Sequence, residues 1–323
     1  MRRLADRSPP SLPTNTPRER MSLVAALGAL EIGLVYGLVA IGVFISFRVL
    51  NFPDLTVDGS FPLGAAVAAA GILGGIDPYI ASLLAILAGG LSGLVTAFLN
   101  IRFGILHLLA SILTMTALYS INLRIMGSPN LAIIMEPTVI SPFELFGLSG
   151  GTIKPIFGFV TVAAAGTAVA WYLLTDSGLG MRAAGANPRM ARAQGVPTAA
   201  MTYFGMALSN ALVALGGALF AQMNGFADIT MGTGTIVVGL AAVIAGEAIL
   251  RPKGIVMAIV ACIVGSVIYR FAVQFALNAE FIGMNPGDLN LLTAVLVTIA
   301  LILPGARNPV KTLMKKRGNG AAS

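Results

Sequence analysis

Charge is scarce in this chain. Asp, Glu, Lys and Arg make up only 10% of its 323 residues, whereas 57% are hydrophobic, a balance far outside that of soluble globular domains. The chain therefore belongs in a bilayer. Cysteine is almost absent: Cys262 stands alone inside an apolar run, which excludes a disulfide framework or a cysteine-rich metal site and leaves a small buried thiol. Histidine is limited to His107. No His/Cys/Asp/Glu cluster has metal-ligand spacing, a serine triad would have to use that one imidazole, and we read His107 as an interfacial or packing residue. None of the lysines at 154, 253, 311, 315 and 316 follows a glycine, so the phosphate-cradling G-x-x-x-x-G-K-[ST] loop is missing and ATP is not bound that way. The net charge of +7 does not point to nucleic acid. The basic residues sit between apolar runs and at the two ends, where they orient a membrane protein.

What is present is apolar length. A helix needs about 20 apolar residues to cross about 30 Å of hydrocarbon. Nine stretches meet or approach this: 24–46, 59–76, 79–100, 104–126, 155–174, 200–222, 234–250, 254–277 and 289–304. None shows the roughly ten-residue alternation of a membrane-barrel strand. The expected fold is all-α, a polytopic transmembrane helical bundle of about nine spans. The runs are apolar on every face, so helical periodicity does not discriminate within them. Glycine is abundant, at 38 residues, and GGLSG at 89–93 and the pair at 216–217 read as close helix contacts, because lipid gives helices no hydrophobic drive to associate.

An odd number of spans puts the two ends of the bundle on opposite sides. With the C-terminus cytoplasmic, Arg48, Arg102, Arg182, Arg189, Arg192, Arg251, Lys253, Arg307, Lys311, Lys315, Lys316 and Arg317 face inward. Arg124, Lys154 and Arg270 face outward. Twelve against three is a strong positive-inside bias. It makes 127–153 an outer loop, 176–199 a cytoplasmic segment and 306–323 a basic cytoplasmic tail, with the membrane domain over 21–305. Residues 1–20, rich in arginine and proline, read as a disordered or mis-assigned extension, and Met21 is the expected start.

The segment "DSGLGMRAAGANPRMARAQGVPTAAM" at 176–201 breaks the apolar pattern. It contains a short helix, Pro188 to Gln194, with Asn187 as cap, Pro188 at the first position and Gly195 as its stop. Arg189 and Arg192, three apart, share one face, and the alanines permit close approach. The pattern is that of a docking element. "GMRAAGANPRMARAQGV" resembles the coupling segment of permease subunits of bacterial ATP-binding-cassette (ABC) importers, in the branched-chain amino acid and ribose permease family. "RVLNFPDLTVDGSFPLGAAVAAA" at 48–70 resembles that family's first intracellular turn and second span. The likeness extends over residues 22–305 and includes "LAAVIAGEAILRPKG" at 240–254. Asn51-Phe52-Pro53-Asp54 and Asp58-Gly59 look most like its tryptophan/tyrosine-type subgroup.

The resemblance implies a permease in the bacterial inner membrane, with the chain itself no enzyme and holding no cofactor. ATP and Mg would bind a separate cytoplasmic ATPase. The other partners implied are a second permease copy, giving a homodimer, and an extracytoplasmic binding protein that delivers a small solute. Coupling to the ATPase would fall on Arg182, Gly185, Asn187, Arg189, Arg192 and Gly195. For the translocation path or gate the sequence offers Asn51, Asp54, Asp58, Ser111, Thr114, Asn210 and Glu247, with Thr116, Asn122 and Ser209 as further polar residues within spans. Pro53 and Gly59 break helices, and broken backbone is tolerated in membranes where it lines a cavity. Asp58 is placed to cap the second span, and Asp54 and Asp58 lie near Arg48. Glu31 and Arg270 fall at similar depths, so they are expected to pair with each other, or with Arg124 in Arg270's place. Glu247 precedes the Arg251-Pro252-Lys253 turn, where a local salt bridge or gating would account for it. An ion-gradient-driven secondary transporter is the alternative, and it requires ionisable groups near mid-bilayer.

Overall fold

A computed structural model describes residues 23–144 and 150–277, with isolated positions 295 and 298. In hydrocarbon each backbone N–H and C=O must find a partner within the protein, and the chain meets this with helices. The order is α1 (Leu23–Phe44), α2 (Val57–Leu73), α3 (Pro78–Phe103), α4 (His107–Met126), β1 (Asn130–Ala132), α5 (Ser141–Glu144), α6 (Gly150–Leu174), α7 (Asp176–Ala186), α8 (Pro188–Ala193), α9 (Thr198–Asn224), β2 (Phe226–Asp228), α10 (Thr235–Leu250) and α11 (Ile255–Leu277). A π-helical turn, Ile45–Val49, continues α1. Among the described residues six helices are long and apolar enough to cross a membrane, namely α1 with its π turn, α3, α4, α6, α9 and α11, while α2 and α10 are shorter apolar helices. These eight helices fall on eight of the nine apolar stretches, but only six are long enough to cross, so the expected count of nine spans is not confirmed. The stretch 289–304, the extension 1–20 and the tail 306–323 lie outside the described residues.

Local chemistry sets the helix ends. The Asp77 carboxylate accepts from the Tyr79 and Ile80 amides ahead of Pro78 to start α3, and Gly104, at φ +68°, ends it. Gly127 and Gly225 close α4 and α9 in the same left-handed conformation, which glycine adopts without steric cost. The expected outer loop 127–153 carries structure of its own: β1, the short α5 and the first turn of α6. β1 pairs antiparallel with β2, Leu131 opposite Ala227. The Asn130 amide donates to Asp228 Oδ2 at 3.1 Å.

The packing is the inverse of a soluble core. On α3, Ala81, Ala85, Gly89, Ser92, Gly93, Thr96 and Ala97 are buried, while Leu83, Leu87, Leu91, Val95 and Phe98 face outward, Leu91 at 62% exposure. Large apolar side chains meet lipid and small ones meet protein. α9 is the central post, packed chiefly against α3 and α2, and α11 joins α1 and α10. Backbones touch at this post. A Cβ on Gly64 would overlap the Ala214 carbonyl, one on Gly93 the Met206 carbonyl, and one on Gly217 the Phe61 carbonyl. The glycine clusters at 89–93 and 216–217 thus make the close contacts expected of them.

α2 and α10, of 17 and 16 residues, are about 26 and 24 Å long at about 1.5 Å per residue, short of the full hydrocarbon thickness. The segment before α10 makes up the difference as non-helical backbone, and it is buried where it meets α2. A Cβ on Gly232 would overlap the Asp58 carbonyl and press on Pro62.

Close packing at α9 gives a direct test. Gly217→Ala is expected to destabilise the protein by about 1–3 kcal/mol through overpacking. Gly28→Ala, in α1 with nothing within 4 Å of the added Cβ, should leave stability unchanged or slightly raised. Thermal unfolding in detergent, followed by circular dichroism, measures both.

Candidate translocation and coupling site

The polar segment between α6 and α9 folds as two helices. The Thr175 hydroxyl accepts from the Gly178 amide at 3.3 Å to start α7. Asn187, with φ −154° and ψ 97°, ends α7 and begins α8, its side chain accepting from the Met190 amide at 3.1 Å with Pro188 next in line. Gly195 at φ +83° closes the segment. α8 is therefore capped and stopped by the residues the sequence singled out, whereas α7 was not expected as a helix. Met181, Ala184 and Ala191 are buried, and Arg182, Arg189, Arg192 and Met190 are exposed. Gly185 lies directly on the end of α1: a Cβ there would overlap the Val49 carbonyl. Arg192 Nε donates to Thr198 Oγ1 at 3.0 Å, tying α8 to the first residue of α9.

Between this helix pair, the turn after α1 and the α3–α4 connection lies a cavity of about 720 Å³, lined among others by Asn51, Phe52, Asn100, His107, Gly185 and Arg192. His107 stacks on Phe52 with ring centroids 4.2 Å apart, a packing role as expected. Asn51 is exposed on the cavity wall with φ +52°, a conformation that asparagine tolerates better than most residues.

Three residues beyond Asn51, Asp54 has no exposed surface. Its Oδ1 accepts from the Thr56 amide at 2.9 Å and its Oδ2 from Asn210 Nδ2 at 2.8 Å. The same Asn210 side chain donates to the Met206 carbonyl and accepts from Ser60 Oγ at 2.7 Å. Ser60 meets Ser92 at 2.8 Å, and Thr56 meets Thr96 at 2.7 Å. A turn, α2, α3 and α9 are joined by one buried polar network. Thr56, Ser60, Ser92 and Thr96 were missed in the sequence, although their i, i+4 spacing on two apolar helices was a readable signal.

Several expected pairings are corrected. Asp58 does not cap its own helix. Its carboxylate accepts from the Gly234 amide at 3.2 Å and the Ile236 amide at 2.7 Å, capping α10, whose first turn has no other side-chain cap. Arg48 pairs with Glu247, 199 residues away, not with Asp54 or Asp58; this joins the π turn to the last turn of α10 and replaces the local bridge expected near Arg251. Glu31 forms no ion pair with Arg270 or Arg124 among the described residues; Lys154 is the cation in electrostatic reach of it. Ser111 and Thr114 donate to their own helix, at the Leu108 and Ala110 carbonyls, as does Thr116 at Ile112, since a hydroxyl in a helix can always bond the preceding turn. Ser209 donates to the Gly42 carbonyl and Asn122 to that of Gly59. The residues offered for the path thus divide into Asn51 on a cavity wall, Ser111 and Thr114 bonded to their own helix, Asp54 and Asn210 in a buried knot, and Asp58 and Glu247 at the two ends of α10.

The knot predicts a compensation. Asn210→Asp sets two carboxylates against each other and should cost about 1.5–3 kcal/mol or more. Adding Asp54→Asn restores one carboxylate and one amide and should recover most of that loss. A double-mutant cycle on thermal unfolding measures the coupling.

Comparison with known proteins follows from this architecture. The chain is 38% identical over 278 residues, 85% of its length and 89% of the relative's, to a tyrosine transport system permease protein of Clostridioides difficile (strain R20291). It is 36% identical over 277 residues, 84% of its length and 95% of the relative's, to an uncharacterized protein of Rickettsia prowazekii (strain Madrid E). Among solved structures it is similar to a chain of PsaBC from Streptococcus pneumoniae in complex with Fab (TM-score 0.49, 16% identity, 88% of this chain and 91% of that one). It is also similar to a chain of an inward-facing metal-chelate type ABC transporter (TM-score 0.48, 18% identity, 88% and 85%). Residues 25–303 match the family model for the permease component of branched-chain amino acid transport systems. The chain is a multi-pass membrane protein and belongs to that permease family.

Proposed function

We propose that this permease is the membrane-spanning subunit of an ATP-driven importer in the bacterial inner membrane, paired with a second copy of itself. Two cytoplasmic ATPases would drive it, and an extracytoplasmic protein would deliver a small solute to it. The observation that carries this reading is the α7–α8 pair. It is a capped element presenting Arg182, Arg189 and Met190 outward while its inner side rests on the end of α1 at Gly185. The basic residues at that end of the bundle support a cytoplasmic position for it under the positive-inside rule. The relative named for tyrosine transport supports an aromatic amino acid as the solute.

In this reading ATP binding and hydrolysis occur in the partner, and the permease converts the partner's change of shape into a tilt of helices. A partner that contacts the α7–α8 pair differently in its two nucleotide states shifts the permease between two conformations by that difference in contact energy. The displacement enters α1 through the Gly185–Val49 backbone contact and α9 through Arg192 and Thr198.

Gly185→Trp and the double reversal Arg189→Glu/Arg192→Glu are expected to leave the permease inserted and bound to lipid but to uncouple hydrolysis from uptake. In proteoliposomes containing all the subunits, solute uptake should fall at least about tenfold, a loss of about 1.4 kcal/mol or more in coupling, while basal ATP hydrolysis persists. Normal uptake by either variant, or uptake by the permease alone without ATP, would overturn the reading.

A further inference from the structure

Arg270 lies within a membrane-crossing helix, α11, two turns before its end, and is half-buried. A cation at such depth costs several kcal/mol and marks a function unless a partner explains it. Among the described residues it has no carboxylate within ion-pair distance. Its guanidinium instead lies 5.6 Å from the centre of the Tyr36 ring, within cation–π range. Tyr36 stacks on Phe61 at 5.5 Å, and both rings meet Phe220, Tyr36 edge-on at 6.4 Å and Phe61 at 5.7 Å. Asp58 stands one helical turn before Phe61 on α2, with its carboxylate against the first turn of α10. Its two oxygens each accept one backbone N–H from α10, which leaves each oxygen a second lone pair to offer. A positive and a negative side chain thus flank one aromatic cluster without meeting each other.

The cluster is not sealed. Tyr36, Phe220, Asp58 and Arg270 are each partly exposed, whereas Phe61 behind them is fully buried. It is assembled from α1, α2, α9 and α11 at the point where the non-helical segment 229–234 hands over to α10, and broken backbone at membrane depth is characteristic of solute sites.

We infer that this cluster is a solute subsite for a zwitterionic aromatic amino acid: the Arg270 guanidinium takes the carboxylate, Asp58 takes the ammonium, and the rings of Tyr36 and Phe220, backed by the buried Phe61, take the side chain. Each assignment follows from chemistry. A guanidinium presents paired donors that match a carboxylate. A carboxylate still carrying free lone pairs matches an ammonium. Offset and edge-on rings accept another flat ring in the same geometry. The inference rests on the reading of the chain as an amino-acid permease, and the test separates the two.

The full-length permease in lipid nanodiscs is titrated with L-tyrosine, with tyramine, which lacks the carboxylate, and with 3-(4-hydroxyphenyl)propionate, which lacks the ammonium. Binding is read as ligand-dependent thermal stabilisation. Arg270→Gln is expected to weaken L-tyrosine and the propionate about tenfold or more, the size of one charge-assisted hydrogen bond, and to leave tyramine unchanged. Asp58→Asn, which keeps one acceptor oxygen for α10, should weaken L-tyrosine and tyramine and spare the propionate. Arg270→Lys retains the charge and should bind L-tyrosine more tightly than Arg270→Gln does. A purely structural role for either residue would shift all three probes together, and that result, or no binding of any probe to the unmodified permease, overturns the subsite. Uptake without ATP would instead remove the importer reading and leave these three affinities in place.

Discussion

A carboxylate with no exposed surface inside a membrane bundle must be answered by protein donors, because no water is there to answer it. Asp54 is answered by the Asn210 amide and the Thr56 backbone, and much of the arrangement follows. Asn210 is then committed, so its oxygen takes the Ser60 hydroxyl, and Ser60 in turn meets Ser92. Three helices and the turn after α1 share one network in which no member can leave without stranding another. The glycines of the α9 seam bring the backbones near enough for these short side chains to reach each other. Small residues and small polar groups are thus two parts of a single solution, since neither would hold the post together alone.

The same network sits next to the basic α7–α8 pair. Asn51 and Phe52 on the cavity wall are three and two residues from Asp54, and Gly185 of α7 rests on Val49 just before them. From α8 the chain passes through the Arg192–Thr198 hydrogen bond into α9, which carries Asn210. Contact, hydrogen bond and helix form an unbroken physical series from the basic end of the bundle to its centre, the kind of series through which a two-state element can be biased from one end. At α10, Asp58 holds the start and Glu247 the finish, so this short helix is pinned to α2 at one end and to α1 at the other.

How much of this was legible beforehand depended on distance along the chain. The start and stop of α8 rest on Asn187, Pro188 and Gly195, all within eight residues of one another, and local chemistry decides them. The eight apolar helices were legible from length and hydropathy, with boundaries off by a few residues. Hydropathy did not reveal which face of a helix points inward, because Leu91 and Gly93 of α3 are both apolar. Size carried that information, with alanine, glycine and serine inside and leucine and phenylalanine outside. α7 escaped notice because Gly178, Gly180 and Gly185 disfavour a helix in isolation; two of them are required by contact with Leu173 and Val49, and tertiary packing overrides the propensity. The charge partners were illegible for the same reason in stronger form. Asp58 and Ile236, and Arg48 and Glu247, are 178 and 199 residues apart. Nearness in sequence pointed instead to Arg48 beside Asp58 and to Glu247 beside Arg251. The short β1–β2 pair joins residues nearly a hundred positions apart, in a stretch that read as plain loop.

A helix that begins inside the hydrocarbon presents a positive pole there, equivalent to about half an elementary charge, and such a pole is a natural trap for chloride or phosphate. In this permease Asp58 already occupies the pole of α10. The trap is filled from within by a tethered carboxylate that cannot diffuse away, so inorganic anions find no vacancy at that depth.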